Sequence, residues 1–211
     1  MPPKAKFTKE EIVEAALALT RAGGPEAVTA RDVAARLGVS TRPIFTYFSS
    51  MEELKAAVRR SANELYMRYI HSGLSDPLPF FGVGYQYIRF AREEPELYKL
   101  LFFSSGQDAG GAAGAMRQLR TLSRPSVMAQ YRMDEATADR YIRDMWLCVH
   151  ALASLIVTGN CPYSGEQVTR ILSGFSLSLC KACKEIPGFA ADEYDRDKEF
   201  SKLIEHTKGD L

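Results

Sequence analysis

Apolar positions recur at helical spacing along nearly the whole chain, and no stretch alternates as a strand would. Ile12, Ala16 and Leu19 form one stripe, which predicts a first helix stopped by Gly23-Gly24-Pro25. Val33 and Leu37 predict a short second helix capped by the Thr29 hydroxyl. Gly38 follows and supplies the positive φ that a tight turn needs. Ser40 is the expected N-cap of a third helix. Pro43 then falls in its first turn, where a missing N–H costs little. Ile44, Phe45 and Phe48 are its expected anchors, with Thr41, Arg42 and Thr46 on the exposed face.

Further along, Ser50 is positioned to cap a long fourth helix that buries Leu54, Val58, Leu65 and Ile70 and ends near Gly73. Asp76-Pro77 is expected to open the fifth helix, and Pro95 the sixth. The glycine-rich stretch 106–115 is the expected mobile loop. A seventh helix is expected to be interrupted at Pro125, and Asp134 opens an eighth that runs to about Gly159. Ser164 and Gln167 form a capping-box pattern for a ninth helix that runs to about Ile186. The polar tail from Asp192 reads as a last short surface helix or a frayed end. The fold class is therefore all-α, with about nine or ten helices. A three-helix head, residues 1–50, precedes a larger helical body, residues 51–211, and a continuous fourth helix couples the two.

The segment from Thr29 to Phe48, TARDVAARLGVSTRPIFTYF, has helix-turn-helix spacing. Ala34 is small enough for a second helix to cross the first closely. The second helix of such a pair reads the DNA major groove. An arginine and hydroxyls near its N-terminus suit phosphate and base-edge contacts. The same spacing also fits an ordinary capped helical hairpin.

The surroundings of the motif resemble the DNA-binding domain of the TetR (tetracycline repressor) family of bacterial regulators. The resemblance rests on EEIVEAALALTRAGG, on the capped helix Thr29–Leu37, and on IFTYFSSMEEL from Ile44 to Leu54. Tyr47 stands where many members have histidine, and Met51 where many have lysine; methionine cannot pair with a phosphate. FAREEPELYKLLFF and MWLCVHALASLIVTG resemble the regulatory domain of a subgroup with Trp, His and Gly in its eighth helix. Trp146 and His150 match, and Ala151 replaces the glycine.

This resemblance implies a homodimer on a palindromic double-stranded DNA operator, released by a small-molecule effector. The DNA-binding residues it implies are Thr29, Arg31, Ser40, Thr41, Arg42, Pro43, Thr46 and Tyr47. Thr29 and Tyr47 are expected on phosphates, Arg42 on a base edge, and Thr41 and Pro43 on thymine methyls. The eighth and ninth helices would pair across the dimer through Leu152, Leu155, Ile156, Ile171, Leu172, Phe175 and Leu179. A largely apolar effector would meet Tyr66, Phe81, Tyr85, Gln86, Phe102, Phe103, Trp146 and His150. Core packing is the competing role for these aromatics. Repression is the leading expectation, and activation or co-regulation by the same fold is the alternative.

Charge sharpens the picture only locally. The net charge of +1 excludes a generic polyanion binder, yet residues 1–60 carry ten Lys/Arg against seven acids, leaving +3 there and −2 elsewhere. The sequence MPPKAKFTKE lacks the apolar core of a secretory leader, and no run is apolar enough to span a membrane, so a cytoplasmic protein is expected. Cys180 and Cys183 form a C-x-x-C within a helical pattern, without a second pair to complete a metal site. His71, His150 and His206 lie far apart, and no nucleophile elbow, phosphate loop or carboxylate pair accompanies them. No catalytic residue, metal or cofactor is expected.

Overall fold

The computed structural model describes residues 7–103 and 111–206. These residues form ten α-helices and no strand: α1 (Lys9–Gly23), α2 (Ala30–Leu37), α3 (Arg42–Tyr47), α4 (Met51–Leu74), α5 (Pro79–Glu93), α6 (Pro95–Phe102), α7 (Gly111–Tyr131), α8 (Glu135–Val157), α9 (Gly165–Glu185) and α10 (Arg196–His206). They gather into two compact units. One comprises Met1–Arg117 with Ala151–Cys161, the other Gln118–His150 with Pro162–Leu211.

In the first unit, α1 opens with a capping box. The Thr8 N–H donates to Glu11 Oε2 at 2.7 Å, and the Glu11 N–H donates back to Thr8 Oγ1 at 3.2 Å. Ile12, Ala16, Val33, Ile44, Phe48 and Leu54 are all buried. Each large apolar side chain among them contributes about 1.5–3 kcal/mol by leaving water. Leu19 is only half-buried. Thr20 takes the inward position, its hydroxyl donating to the Ala16 carbonyl at 3.0 Å. Ser50 caps α4 as expected, accepting from the Glu53 N–H at 3.2 Å.

The helices α4 and α5 pack along much of their length. Their closest approach is at Gly73 and Gly82. A Cβ on Gly73 would lie 2.6 Å from the Gly82 backbone, so only glycine permits this crossing. On α4 the inward positions are Leu54, Ala57, Val58, Ala62, Tyr66, Ile70 and Gly73. Tyr66 fills the core where Leu65 was expected, and Leu65 is half-buried.

The fifth helix starts at Pro79, not at Pro77. Asp76 acts as a turn residue, its Oδ1 accepting from the Leu78 N–H at 2.8 Å, and this delays the helix by one half-turn. Residues 111–115 of the glycine-rich stretch belong to α7, while 106–110 lie outside the described residues.

In the second unit, α7 runs unbroken through Pro125, against the expected interruption. Pro125 and Thr121 both face solvent, where water can satisfy the carbonyl that loses its donor. Arg124 forks onto Asp139 at 2.7 and 2.9 Å and also pairs with Glu135. The Tyr141 and Ser176 hydroxyls, 2.6 Å apart, tie α8 to α9. The capping box at Ser164 and Gln167 has both its bonds, at 2.8 and 3.3 Å. Arg140 stacks 4.1 Å above the Phe189 ring and pairs with Asp192, which anchors the segment before α10. The tail forms a surface helix, α10, that leaves Phe200, Leu203 and Ile204 exposed.

Candidate nucleic-acid interface

The two helices α2 and α3 are joined by a turn whose geometry is set by one residue. Gly38 adopts φ 67° and ψ 37°, the left-handed conformation. The Val39 N–H then closes the turn onto the Ala34 carbonyl at 3.0 Å. Val33 and Ala34 are buried beneath it, while Leu37 is half-buried rather than buried. Thr29 caps α2 as expected. Its Oγ1 accepts from the Asp32 N–H at 3.1 Å and donates to Asp32 Oδ2 at 2.5 Å.

The start of α3 differs from expectation. Ser40 is not its N-cap. Thr41 holds that position, already in helical conformation and without a side-chain cap bond. Pro43, within the first turn, fixes the helical φ there and makes a hydroxyl cap less necessary. Phe45 is not an anchor either; it is 50% exposed. With only six residues in α3, Ile44 and Phe48 take the buried side one turn apart, and Phe45 lies about 100° around from Ile44.

What remains is a small polar surface. Arg31, Ser40, Thr41 and Arg42 are exposed, and their side chains form no hydrogen bond among the described residues. Pro43 is half-buried beside them. Thr46 is exposed, with its hydroxyl donating to the Arg42 carbonyl at 3.1 Å. Tyr47 is half-buried, and its hydroxyl donates to the Phe7 carbonyl at 2.8 Å. The hydroxyl hydrogens of Thr29, Thr46 and Tyr47 are thus committed inside the protein. Those of Ser40 and Thr41 face outward with the Arg42 guanidinium. Such a surface can donate hydrogen bonds to phosphates and base edges.

Residues 12–58 match the N-terminal model of bacterial regulatory proteins of the tetR family, and residues 80–173 match the tetracyclin repressor-like C-terminal domain. The chain belongs to the TetR family.

The fold agrees with this TetR assignment. A TetR-like transcriptional regulator from Rhodococcus sp. RHA1 superposes with a TM-score of 0.62 at 14% identity, over 84% of this chain and 97% of that one. A tetR-family transcriptional regulator from Streptomyces coelicolor gives 0.62 at 16% identity, over 94% and 96%. A further TetR family member from Streptomyces coelicolor A3 gives 0.58 at 19% identity, over 82% and 98%. No curated protein sequence matches the chain. The chain is a DNA-binding regulator by family.

Of the eight residues expected around an effector in this TetR-family chain, Tyr66, Phe81, Tyr85, Gln86, Phe102 and Phe103 lie in the first unit and Trp146 and His150 in the second. Tyr66 and Phe102 meet in an aromatic cluster, with ring centroids 5.3 Å apart, together with Tyr87, Phe90 and Tyr98. Burial pushes the phenols of Tyr66 and Tyr87 well above their ordinary pKa, so both stay neutral donors. The Tyr66 hydroxyl has no partner among the described residues, and neither does Gln86 Oε1. Phe81, Tyr85 and Phe103 are exposed, because they occupy the outward sides of α5 and the end of α6. Trp146 and His150 belong to the second unit, stacked at 4.7 Å with planes 10° apart. Burial lowers the His150 pKa.

The residues expected at a dimer contact also divide. Leu152, Leu172 and Leu179 are buried within the monomer, so they serve its own core. Ile156 and Ile171 are half-buried, and Leu155 and Phe175 are exposed. Sequence reasoning missed Leu147 and Leu177, which are 54% and 62% exposed. A helical-wheel reading of α9 carried the signal for Leu177, since it shares a side with Ser173, Gly174 and Lys181, all exposed. No group of metal-ligating side chains occurs among the described residues, and none of their helices is long and apolar enough to cross a membrane. Cys180 and Cys183 are half-exposed free thiols.

Proposed function

We propose that this chain is a homodimeric cytoplasmic repressor that binds a palindromic operator through α3 and leaves it when a small, largely apolar molecule binds the body. Residues 1–50 carry the DNA contacts, and residues 51–211 carry effector recognition and dimerisation. The observation that supports this reading best is the surface of α3. Arg42, Thr41 and Ser40 project outward from a short helix held by Ile44 and Phe48. Arg42 is the base reader, bidentate to a guanine, and Arg31 supports it on the phosphates. Thr41 and Pro43 meet thymine methyls.

Dimerisation places two such helices on half-sites about one DNA turn apart. The exposed apolar residues Leu147, Phe175 and Leu177 are the surface that a second copy would cover. The aromatic cluster with the buried Tyr66 hydroxyl is where an apolar effector with one hydrogen-bonding group would be recognised. Such a molecule lowers operator affinity only by its preference for the conformer with misplaced heads.

The test is a reporter under the chain's own operator, compared in wild-type and deletion backgrounds. Repression predicts derepression on deletion. Loss of expression on deletion would make the protein an activator. The family and its neighbours are transcriptional regulators, and no catalytic role is assigned.

A further inference from the structure

Within the second unit, α10 grows from a fixed root. Arg140 of α8 stacks on the Phe189 ring and pairs with Asp192. The Phe189 and Tyr194 rings lie 5.0 Å apart. Asp195 then caps the helix, its Oδ1 accepting from the Lys198 N–H at 3.0 Å. Leu147 follows Arg140 by almost two turns of α8, about 10 Å along the same side of that helix. The root of α10 and the exposed Leu147 thus share one side of α8. Beyond this root, Phe200, Leu203 and Ile204 fall at i, i+3 and i+4, on one side of α10. They are 58%, 67% and 60% exposed.

A helix of 11 residues is marginal in water on its own, and packing of its apolar side supplies most of its stability. The area needed by a dimer says what covers that side. Leu147, Phe175 and Leu177 together expose roughly 300 Å² of side chain, taking about 200 Å² for a fully exposed one. An obligate homodimer covers about 1,000 Å² or more per partner, about 65% of it apolar, or roughly 650 Å². The three side chains of α10 add roughly 370 Å², which closes the gap. The helix also carries three Lys/Arg and three Asp/Glu, a balance that suits the same surface on a second copy. A helix lying on an anionic membrane has a basic excess instead. We propose that α10 is part of the dimer contact, with Phe200, Leu203 and Ile204 of each copy buried against the other. They extend the contact of Leu147, Phe175 and Leu177, and this rests on the homodimer reading above.

Full-length wild type and F200A/L203A/I204A are compared by sedimentation equilibrium. Alanine keeps the helix-forming tendency of α10 and removes only its apolar side. The expected result is a dimer dissociation constant raised about 100-fold or more. The single change L203E should weaken the dimer in the same sense. Hydrogen exchange of residues 196–204, followed in wild type on both sides of the dissociation midpoint, should slow as the dimer forms. An unchanged dissociation constant in the triple variant, or exchange that does not depend on concentration, overturns the role of α10 and leaves the contact of α8 and α9 intact. Binding of wild type to phosphatidylserine vesicles that the triple variant loses, with dimerisation unchanged, also overturns it and makes α10 a membrane-surface helix. Wild type that is monomeric at every concentration overturns both this role and the homodimer reading.

Discussion

The guanidinium of Arg21 grips the carboxylate of Glu94 through two parallel hydrogen bonds, 2.8 Å from Nε and 2.9 Å from Nη2. Arg21 is in the last turn of α1, and Glu94 is the N-cap of α6. At the other end of α6, Arg59 of α4 donates to the Leu100 and Leu101 carbonyls at 2.6 and 3.1 Å. Two arginines, one from the head and one from the helix that leaves it, thus clamp both ends of α6. The bond to Glu94 holds the Arg21 guanidinium in its charged form still more firmly, raising its pKa.

Arg21→Ala is expected to cost about 1 kcal/mol of stability, since the pair is bidentate yet partly exposed to water. Urea unfolding measures it. The charge swap R21E/E94R should recover part of the loss. Recovery of nothing would mean that packing of the arginine stem, not the ion pair, carries the effect.

Gly73→Ala should be more damaging. Its Cβ would press on the Gly82 backbone, so α4 and α5 must move apart along a well-packed contact. A loss of about 2 kcal/mol or more is expected in the same unfolding assay. A change within about 0.5 kcal/mol would show that the two helices separate at little cost.

The His150 imidazole gives a pH dependence with a definite sign. Burial holds its folded pKa below the ordinary value, which is about 6.5. Between the two values the unfolded chain binds more protons, so stability rises with pH there. The contribution is fully present above the unfolded pKa and is lost as pH falls through the folded one. Unfolding midpoints of wild type and H150F, compared from about pH 5 to pH 8, should converge on a smaller pH dependence for the variant. Identical profiles would remove His150 as the source.

Leu177→Glu places a charge on an exposed apolar position of α9. If that face is covered by a second copy, the variant should be monomeric by analytical ultracentrifugation at concentrations where wild type is dimeric, while its monomer folds normally. A variant that stays dimeric would move the interface elsewhere.

Arg42→Ala should cost about 1–3 kcal/mol of operator affinity and relax specificity at one base position. A selection from randomised operators reads both effects at once. Uniform weakening across all sequences would make Arg42 a phosphate contact.

Much of this architecture was legible in the sequence because local rules decide it. The hydroxyl caps at Thr29, Ser50 and Ser164, the Gly38 turn and the start of α6 at Pro95 depend on residues within one turn of each other. The errors arose where a competing partner or solvent decided the outcome. Asp76 spends its carboxylate on a turn, so Pro77 does not open α5. Pro125 stays helical because its side of α7 is wet. Within α3, the exposed set was legible apart from Phe45, which a six-residue helix cannot bury together with Ile44. The bonds of Arg21 to Glu94, Arg59 to α6 and Tyr47 to Phe7 join residues forty or more apart. No periodicity encodes such pairs. The same holds for the approach of Gly73 to Gly82, where two ordinary-looking glycines meet only in three dimensions.

Sequence-specific DNA binding through α3 is tested most directly by titrating the purified protein, over a range of salt and with competitor DNA, against the region immediately upstream of its own gene. The expected result is competitor-resistant binding to a short palindrome at two protomers or a multiple of two, lost in R42A. Weak binding, equal for every sequence tried in that region and genome-wide and abolished at moderate salt, would contradict it and leave only non-specific phosphate attraction.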